Sequence, residues 1–125
     1  ENDIDFFAYS PLCFGILCID PDKNEEIEKS FLRSLLFRNY KKPTYELRRC
    51  LKKIANERSV SQAQVAINWC CYQRTIPLVG MRRKSQVIDI SNVFKWNLKE
   101  KEFELLQEAS KNCQKKMPRN PFSSI

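Results

Sequence analysis

Two short apolar runs set the terms for everything else in this chain. Residues 3–9 read DIDFFAY and stop at Ser10-Pro11; residues 75–79 read TIPLV and stop at Gly80. Their length and their Pro and Gly terminators mark strands, not helices. The sequence between them is helically patterned, and two strands joined through helices pair in parallel. A parallel sheet is covered on both faces, and two strands cannot provide that cover for themselves. Both runs are therefore expected as buried strands whose apolar sides pack on neighbours that lie outside this sequence. The fold class expected is α/β, with two parallel strands plus helices.

Helical periodicity fills most of the remainder. Residues 25–37 carry Ile27, Phe31, Leu35 and Leu36 as one apolar stripe, inside a long connection broken by Pro21 and by Lys42-Pro43. Long connections of this kind are often functional lids. From Thr44 or Tyr45 to Glu57, the residues Leu47, Cys50, Leu51, Ile54 and Ala55 recur on one helical face. Ser61 and Gln64 form a capping-box pattern that opens a helix to about Gln73, with Val65, Trp69 and Tyr72 on one side. Val87, Ile90, Val93 and Phe94 suggest a further helix. Asn97 and Glu100 suggest the start of another, with Leu98, Leu105, Leu106 and Ala109 facing inward. The divisions expected are strand 1–10, loop and helix 11–43, helices 44–73, strand 75–80, helices 84–111 and a polar surface tail 112–125. No repeat or low-complexity tract interrupts them.

Composition narrows the chemistry. Hydrophobic residues at 42% and charged residues at 30% describe a globular chain rather than a disordered one. No apolar stretch is long enough to span a membrane. There are six cysteines and no histidine, and the cysteines at 13, 18, 50, 70, 71 and 113 form no Cys-x-x-Cys pair. No metal site is expected from them. They read as reduced thiols, which places the chain in the cytoplasm. With only two glycines and a strand at its very start, the sequence reads as part of a larger enzyme. A net charge of +7 favours an anionic partner without choosing among nucleic acid, membrane surface and phosphorylated cofactor.

Ligands of parallel α/β folds gather at the C-terminal ends of the strands. Two segments qualify. Gly80-Met81-Arg82-Arg83-Lys84-Ser85 stands between a strand and a helix. There Gly allows close approach, the first N–H groups of the helix lack partners, and three successive cations suit a phosphate monoester. A solvated basic helix start is the plainer reading of the spacing, although cations at a helix N-terminus oppose its dipole. The other segment is Tyr9-Ser10-Pro11-Leu12-Cys13-Phe14-Gly15, where an aromatic ring, a hydroxyl and a glycine meet a strand end. A core Tyr before a Pro turn would look the same.

Taken together, the segments resemble the aldo-keto reductase family. Tyr9-Ser10-Pro11-Leu12 with Gly15 and Leu17 resembles the family's Y-S-P-L-G-x-G-x-L-T-G-K segment after the seventh barrel strand. Residues 61–69 (SQAQVAINW) resemble its A-Q-V-A-L-x-W helix. Ile76-Pro77 through Gly80, then Gln86, Val87 and Asp89, resemble its eighth-strand segment, and Trp96-Asn97-Leu98 its W-x-L. The resemblance implies the C-terminal part of a (β/α)8 TIM barrel and NADPH as cofactor. Tyr9 would then stack on the nicotinamide. Ser10, Leu12 and the loop backbone around Gly15 would hold the ribose and pyrophosphate. Gly80 and Arg82 would hold the 2′-phosphate, and Gln86 and Asp89 would meet the adenosine. The family's catalytic Asp, Tyr, Lys and His belong to earlier strands, so no catalytic residue is expected here and the chain alone is expected to be inactive. A small carbonyl substrate and the N-terminal part of the same barrel are the implied partners.

The sequence also departs from the family pattern. Cys13 and Ile19 replace glycines, Cys18 replaces a Thr, Asp20 stands where the family often has a phosphate-binding Lys, and Ile90 replaces an Asn. Lys23 is a candidate substitute for that Lys. Two other functions compete with an NADPH-dependent carbonyl reductase. One is a non-catalytic, cofactor-sensing subunit resembling the potassium-channel β subunits. The other is a basic module for nucleic acid, disfavoured because the aromatics lie on apolar helical faces and do not alternate with the cations.

Overall fold

The computed structural model describes residues 4–23 and 31–116. Strand β1 (Phe7–Tyr9) lies parallel to β2 (Ile76–Leu78), with Phe7 opposite Ile76, Ala8 opposite Pro77 and Tyr9 opposite Leu78. The ladder begins one residue earlier, where the Ile76 N–H donates to the Phe6 carbonyl at 2.8 Å. In a parallel strand, successive N–H groups point to alternate sides. The Ile76 bond therefore turns the missing N–H of Pro77 away from β1, the one place where Pro costs this pair nothing. The strands are uncovered within the chain, as expected of strands whose neighbours lie outside this sequence. Phe7, Tyr9, Ile76 and Leu78 are all exposed, because among the described residues α3 packs against β2 and no third strand extends the sheet. The architecture is the α/β one anticipated: two parallel strands with a helical crossover between them.

The helices carry the core. Helix α1 spans Phe31–Tyr40, α2 Tyr45–Arg58, α3 Gln62–Tyr72, α4 Lys84–Ser91 and α5 Glu100–Lys116. Leu51, Ile54 and Ala55 of α2 meet Val65 and Ala66 of α3, with Leu98 and Leu106 of the C-terminal segment completing the cluster. Full burial of each large aliphatic side chain contributes about 1.5–3 kcal/mol, so this three-helix contact is the main source of stability. A smaller cluster joins Ile16, Leu36 and Tyr40 and seats α1.

Several boundaries differ from the sequence expectation, each for a local reason. Helix α1 runs on to Tyr40 rather than stopping at Phe37; the beginning of the expected segment, with Ile27, lies outside the described residues. The Thr44 hydroxyl donates to the Tyr40 carbonyl at 2.6 Å and Arg48 Nη2 to the Lys41 carbonyl at 2.8 Å, so the last carbonyls are satisfied from the next helix. The face expected from Val87, Ile90, Val93 and Phe94 does not form. Helix α4 gives way to a 3-10 segment at Asn92–Lys95, which changes the angular phase; Val93 is buried while Phe94 is 85% exposed. Leu105 and Tyr72 are also exposed, although Tyr72 stacks on Phe103 at 4.3 Å between ring centroids. Helix α5 continues past residue 111 because Cys113 is buried and anchors its last turns. Residues 117–125 of the expected tail lie outside the described residues.

Polar ties fix the helices against one another. Asn68, buried in α3, donates to the carbonyls of Val93 and Trp96 and accepts from the Leu98 N–H at 3.0 Å, so one side chain holds the approach to α5. Arg58 of α2 grips Glu102 of α5 through both carboxylate oxygens, at 2.9 and 2.7 Å, and lies over the Trp96 ring. The Arg58 guanidinium and the Lys99 N–H hold the Glu102 carboxyl below its ordinary value. A depressed folded-state value means that this stability is present above the unfolded carboxylate value and is lost as pH falls through the folded one. Glu102→Gln should therefore lower stability by roughly 1 kcal/mol at neutral pH, and the gap to the parent should close as urea titrations are repeated toward pH 3. A gap that stays constant with pH would show that the ion pair adds nothing.

Candidate functional site

Parallel pairing in this register brings the ends of β1 and β2 to one edge. Tyr9 stands opposite Leu78, so the segment from Ser10 and the segment from Val79 leave the sheet side by side. The two candidate segments of the sequence therefore meet at the same strand tips.

The first segment is an unusual backbone. Ser10, Cys13 and Phe14 have φ of 52°, 49° and 57°, and Gly15 has φ of 91°. Non-glycine residues enter this left-handed region at a cost of about 1 kcal/mol or more each, and such strain collects at functional sites. Cys13 replaces a family glycine at one of these positions. The loop is held in compensation. Its carbonyls at Ser10 and Leu12 accept from the N–H groups of Cys13 and Gly15. Gln62, the first residue of α3, donates to the Leu17 and Ile19 carbonyls at 2.9 and 3.3 Å. Arg33 of α1 donates to the Phe14 carbonyl at 3.3 Å. A side chain at Gly15 would be strained by φ, and its Cβ, 3.1 Å from that guanidinium, would have to displace Arg33 by a few tenths of an ångström. Leu12 and Leu17 pack on the main core and anchor the loop from below. Tyr9, 81% exposed, presents its ring at the edge.

The second segment is open. Nothing stands within 4 Å of a Cβ built on Gly80, and Met81 through Ile88 are exposed. The N–H groups expected to be free as an anion seat are partly taken. Gln86 Oε1 accepts from the N–H groups of Arg82 and Arg83 at 2.8 and 3.0 Å, capping α4 from within. The first N–H groups inside the helix, at Lys84 and Ser85, still have no intrahelical acceptor. The carboxylate of Asp89 is also engaged: it accepts from Ser61 Oγ at 2.6 Å and from Gln64 Nε2 at 2.7 Å. Gln64 Oε1 in turn accepts from Trp96 Nε1 at 3.1 Å. Ser61 does cap α3, accepting from the Gln64 N–H at 3.1 Å, but the Gln64 side chain is drawn into this network and does not return to complete a capping box. Gln86 and Asp89 thus shape the segment that carries Arg82 as well as standing near it.

The departure at Asp20 has a structural partner. Lys52 bridges Asp20 and Asp22, both at 2.7 Å, and holds the Asp20 carboxyl below its ordinary value. A carboxylate there repels phosphate, so this end of the loop offers an anion nothing to bind. Burial works against thiolate formation at the cysteines. All six cysteines are free, and burial pushes Cys13 and Cys70 up to about 11. Among the described residues no cluster of acidic and thiol side chains could hold a metal ion. Sequence reasoning missed Gln62 and Arg33; a polar residue at a helix start and an Arg inside an apolar stripe carry no distance information, so no signal pointed to the loop they hold.

Comparison with known proteins decides the family. The model of the aldo/keto reductase family matches residues 1–111.

The chain belongs to the aldo/keto reductase family.

Pyridoxal reductase, chloroplastic, from Arabidopsis thaliana is 34% identical over 128 residues, covering 99% of this chain and 33% of that protein. The chain spans about a third of this relative's length. Its two parallel strands with their crossover correspond to part of the family's barrel. The relative's name places it in the chloroplast, so free thiols do not by themselves choose a compartment for this aldo/keto reductase chain. Among its described residues no helix is long and apolar enough to cross a membrane.

The Asp89 network yields a test. Asp89→Ala leaves Ser61 and Gln64 without their acceptor and should destabilise the protein by about 1–3 kcal/mol. The measurement is the urea midpoint, with Ile90→Ala as a control on the same helix. An unchanged midpoint would show that these hydrogen bonds add nothing to stability.

Proposed function

We propose that this chain is the cofactor-gripping part of an NADPH-dependent reductase of aldehydes or ketones. The observation that carries the proposal is the parallel register, which puts an exposed aromatic ring, a strained polar loop and an open glycine followed by cations along one edge. Family membership and the relationship to a pyridoxal reductase support the reaction class, and pyridoxal is itself an aldehyde.

The residues present fit the cofactor. Tyr9 offers an uncovered ring for stacking on nicotinamide. Ser10 and the backbone from Leu12 to Gly15 face the ribose and pyrophosphate, with the carboxylate of Asp20 limiting contact at the far end. Gly80 admits the adenosine 2′-phosphate without steric opposition, and Arg82 supplies the fork of donors that a phosphate monoester takes. Gln86 positions Arg82 by holding its N–H, and Asp89 fixes α4 against α3; both act on the adenosine end through placement. When bound, NADPH supplies the hydride for carbonyl reduction. Proton donation to the carbonyl oxygen belongs to catalytic residues on other strands of the full-length enzyme.

Selectivity between cofactors is the direct test. Arg82→Ala in the full-length protein should weaken NADPH binding by about 1.5–3 kcal/mol, the worth of a hydrogen bond to a charged group, and leave NADH binding unchanged in a fluorescence titration. Equal loss for both cofactors would remove the phosphate role. NADPH binding without carbonyl reduction by the full-length protein would favour a cofactor-sensing subunit over a reductase.

A further inference from the structure

Away from the strand tips, α1, α2 and the end of α5 enclose a groove of about 930 Å³, within the size range of small-ligand sites. It shares no lining residue with the ridge of Tyr9 and Arg82. At its floor is Arg48, only 1% exposed. Burying a guanidinium is costly unless it is paired, and burial lowers the affinity of Arg48 for its proton. Arg48 forms no ion pair among the described residues. Its Nε donates to Thr44 Oγ1 at 3.2 Å and Nη2 to the Lys41 carbonyl at 2.8 Å, which uses only part of a five-donor fork. Asp20, the carboxylate whose field reaches it, is bound to Lys52.

The rim repeats the same sign. Among the described residues Lys42 and Lys116 line it together with Arg38 and Lys41, and the carboxylate among them, Glu46, lies 3.8 Å from Arg49. Phe37 and Tyr45 form apolar walls, with Lys41 lying 5.1 Å above the Phe37 ring. A buried cation with spare donors, a cationic rim and flat apolar walls match one ligand chemistry: a phosphoryl group on a small hydrophobic or ring-bearing body. We propose that this groove is a second anion site that binds a small organic phosphate monoester, with Arg48 taking the phosphoryl oxygens and Phe37 and Tyr45 flanking the body.

NADPH also carries a phosphate monoester, so the two sources must be separated. The experiment is calorimetric titration of phenyl phosphate into full-length protein saturated with NADPH, at low ionic strength where charge contacts are least screened. The site predicts saturable binding, at least about tenfold weaker binding of phenol, and weaker binding of inorganic phosphate, which lacks the ring. Lys42→Glu, at an exposed rim position, should weaken phenyl phosphate by about three- to tenfold without moving the thermal midpoint. Arg48→Lys should weaken it further. If Arg48→Lys fails to fold, Lys42→Glu still decides the matter. Binding that is abolished by NADPH, that responds to Arg82→Ala and not to Lys42→Glu, or that is as tight for inorganic phosphate as for the ester would overturn the proposal.

Discussion

One short parallel ladder, Phe7–Tyr9 against Ile76–Leu78, governs the placement of the rest of this chain. Parallel pairing sends both strands out at the same edge and forces the chain between them to return across the sheet. Helices α1 to α3 are that return path. The pairing on its own is weak, three residues a side with exposed faces, so the register depends on the helical core. Val65 and Ala66 of α3 are locked to α2 and α5, and α3 in turn lies against β2. The strand tips are rigid to the extent that this core is rigid.

Strain at the tips is then offset by side chains from the return path. Gln62 and Arg33 take carbonyls of the loop that follows β1, and Leu12 and Leu17 seat it on the core. The loop after β2 is held differently. Gln86 holds it from inside its own helix, and the Asp89–Gln64–Trp96 chain fixes that helix one turn later. The contrast suits an edge where one side must present a ring in a fixed place and the other must admit a phosphate. Preorganisation of this kind places the cost of ordering in the folding of the protein and not in the binding of its ligand.

Much of this was legible in the sequence. The two strands could be read because each is a short apolar run with an abrupt end, and their parallel sense followed from the helical pattern between. The periodic face of α2 and the Ser61 cap were equally plain, since both are local. What escaped reading was non-local. Periodicity assumed one unbroken helix from Val87 to Phe94, whereas a 3-10 segment interrupts it. The pattern of Ser61 and Gln64 suggested a reciprocal cap, but the Gln64 side chain finds a partner in the charged Asp89 of α4, beyond β2 in the sequence. Candidate site residues were found through family-like motifs; that Gln86 and Asp89 already have partners inside the chain is visible only in three dimensions.

The central claim is that the two loops at one edge of this ladder form a single seat for NADPH. Hydrogen–deuterium exchange on the full-length protein, with and without saturating NADPH, measures it directly. The account predicts slowed exchange in both residues 10–17 and residues 80–86, with α2 unchanged. Protection of neither segment, or of one without the other, would contradict it.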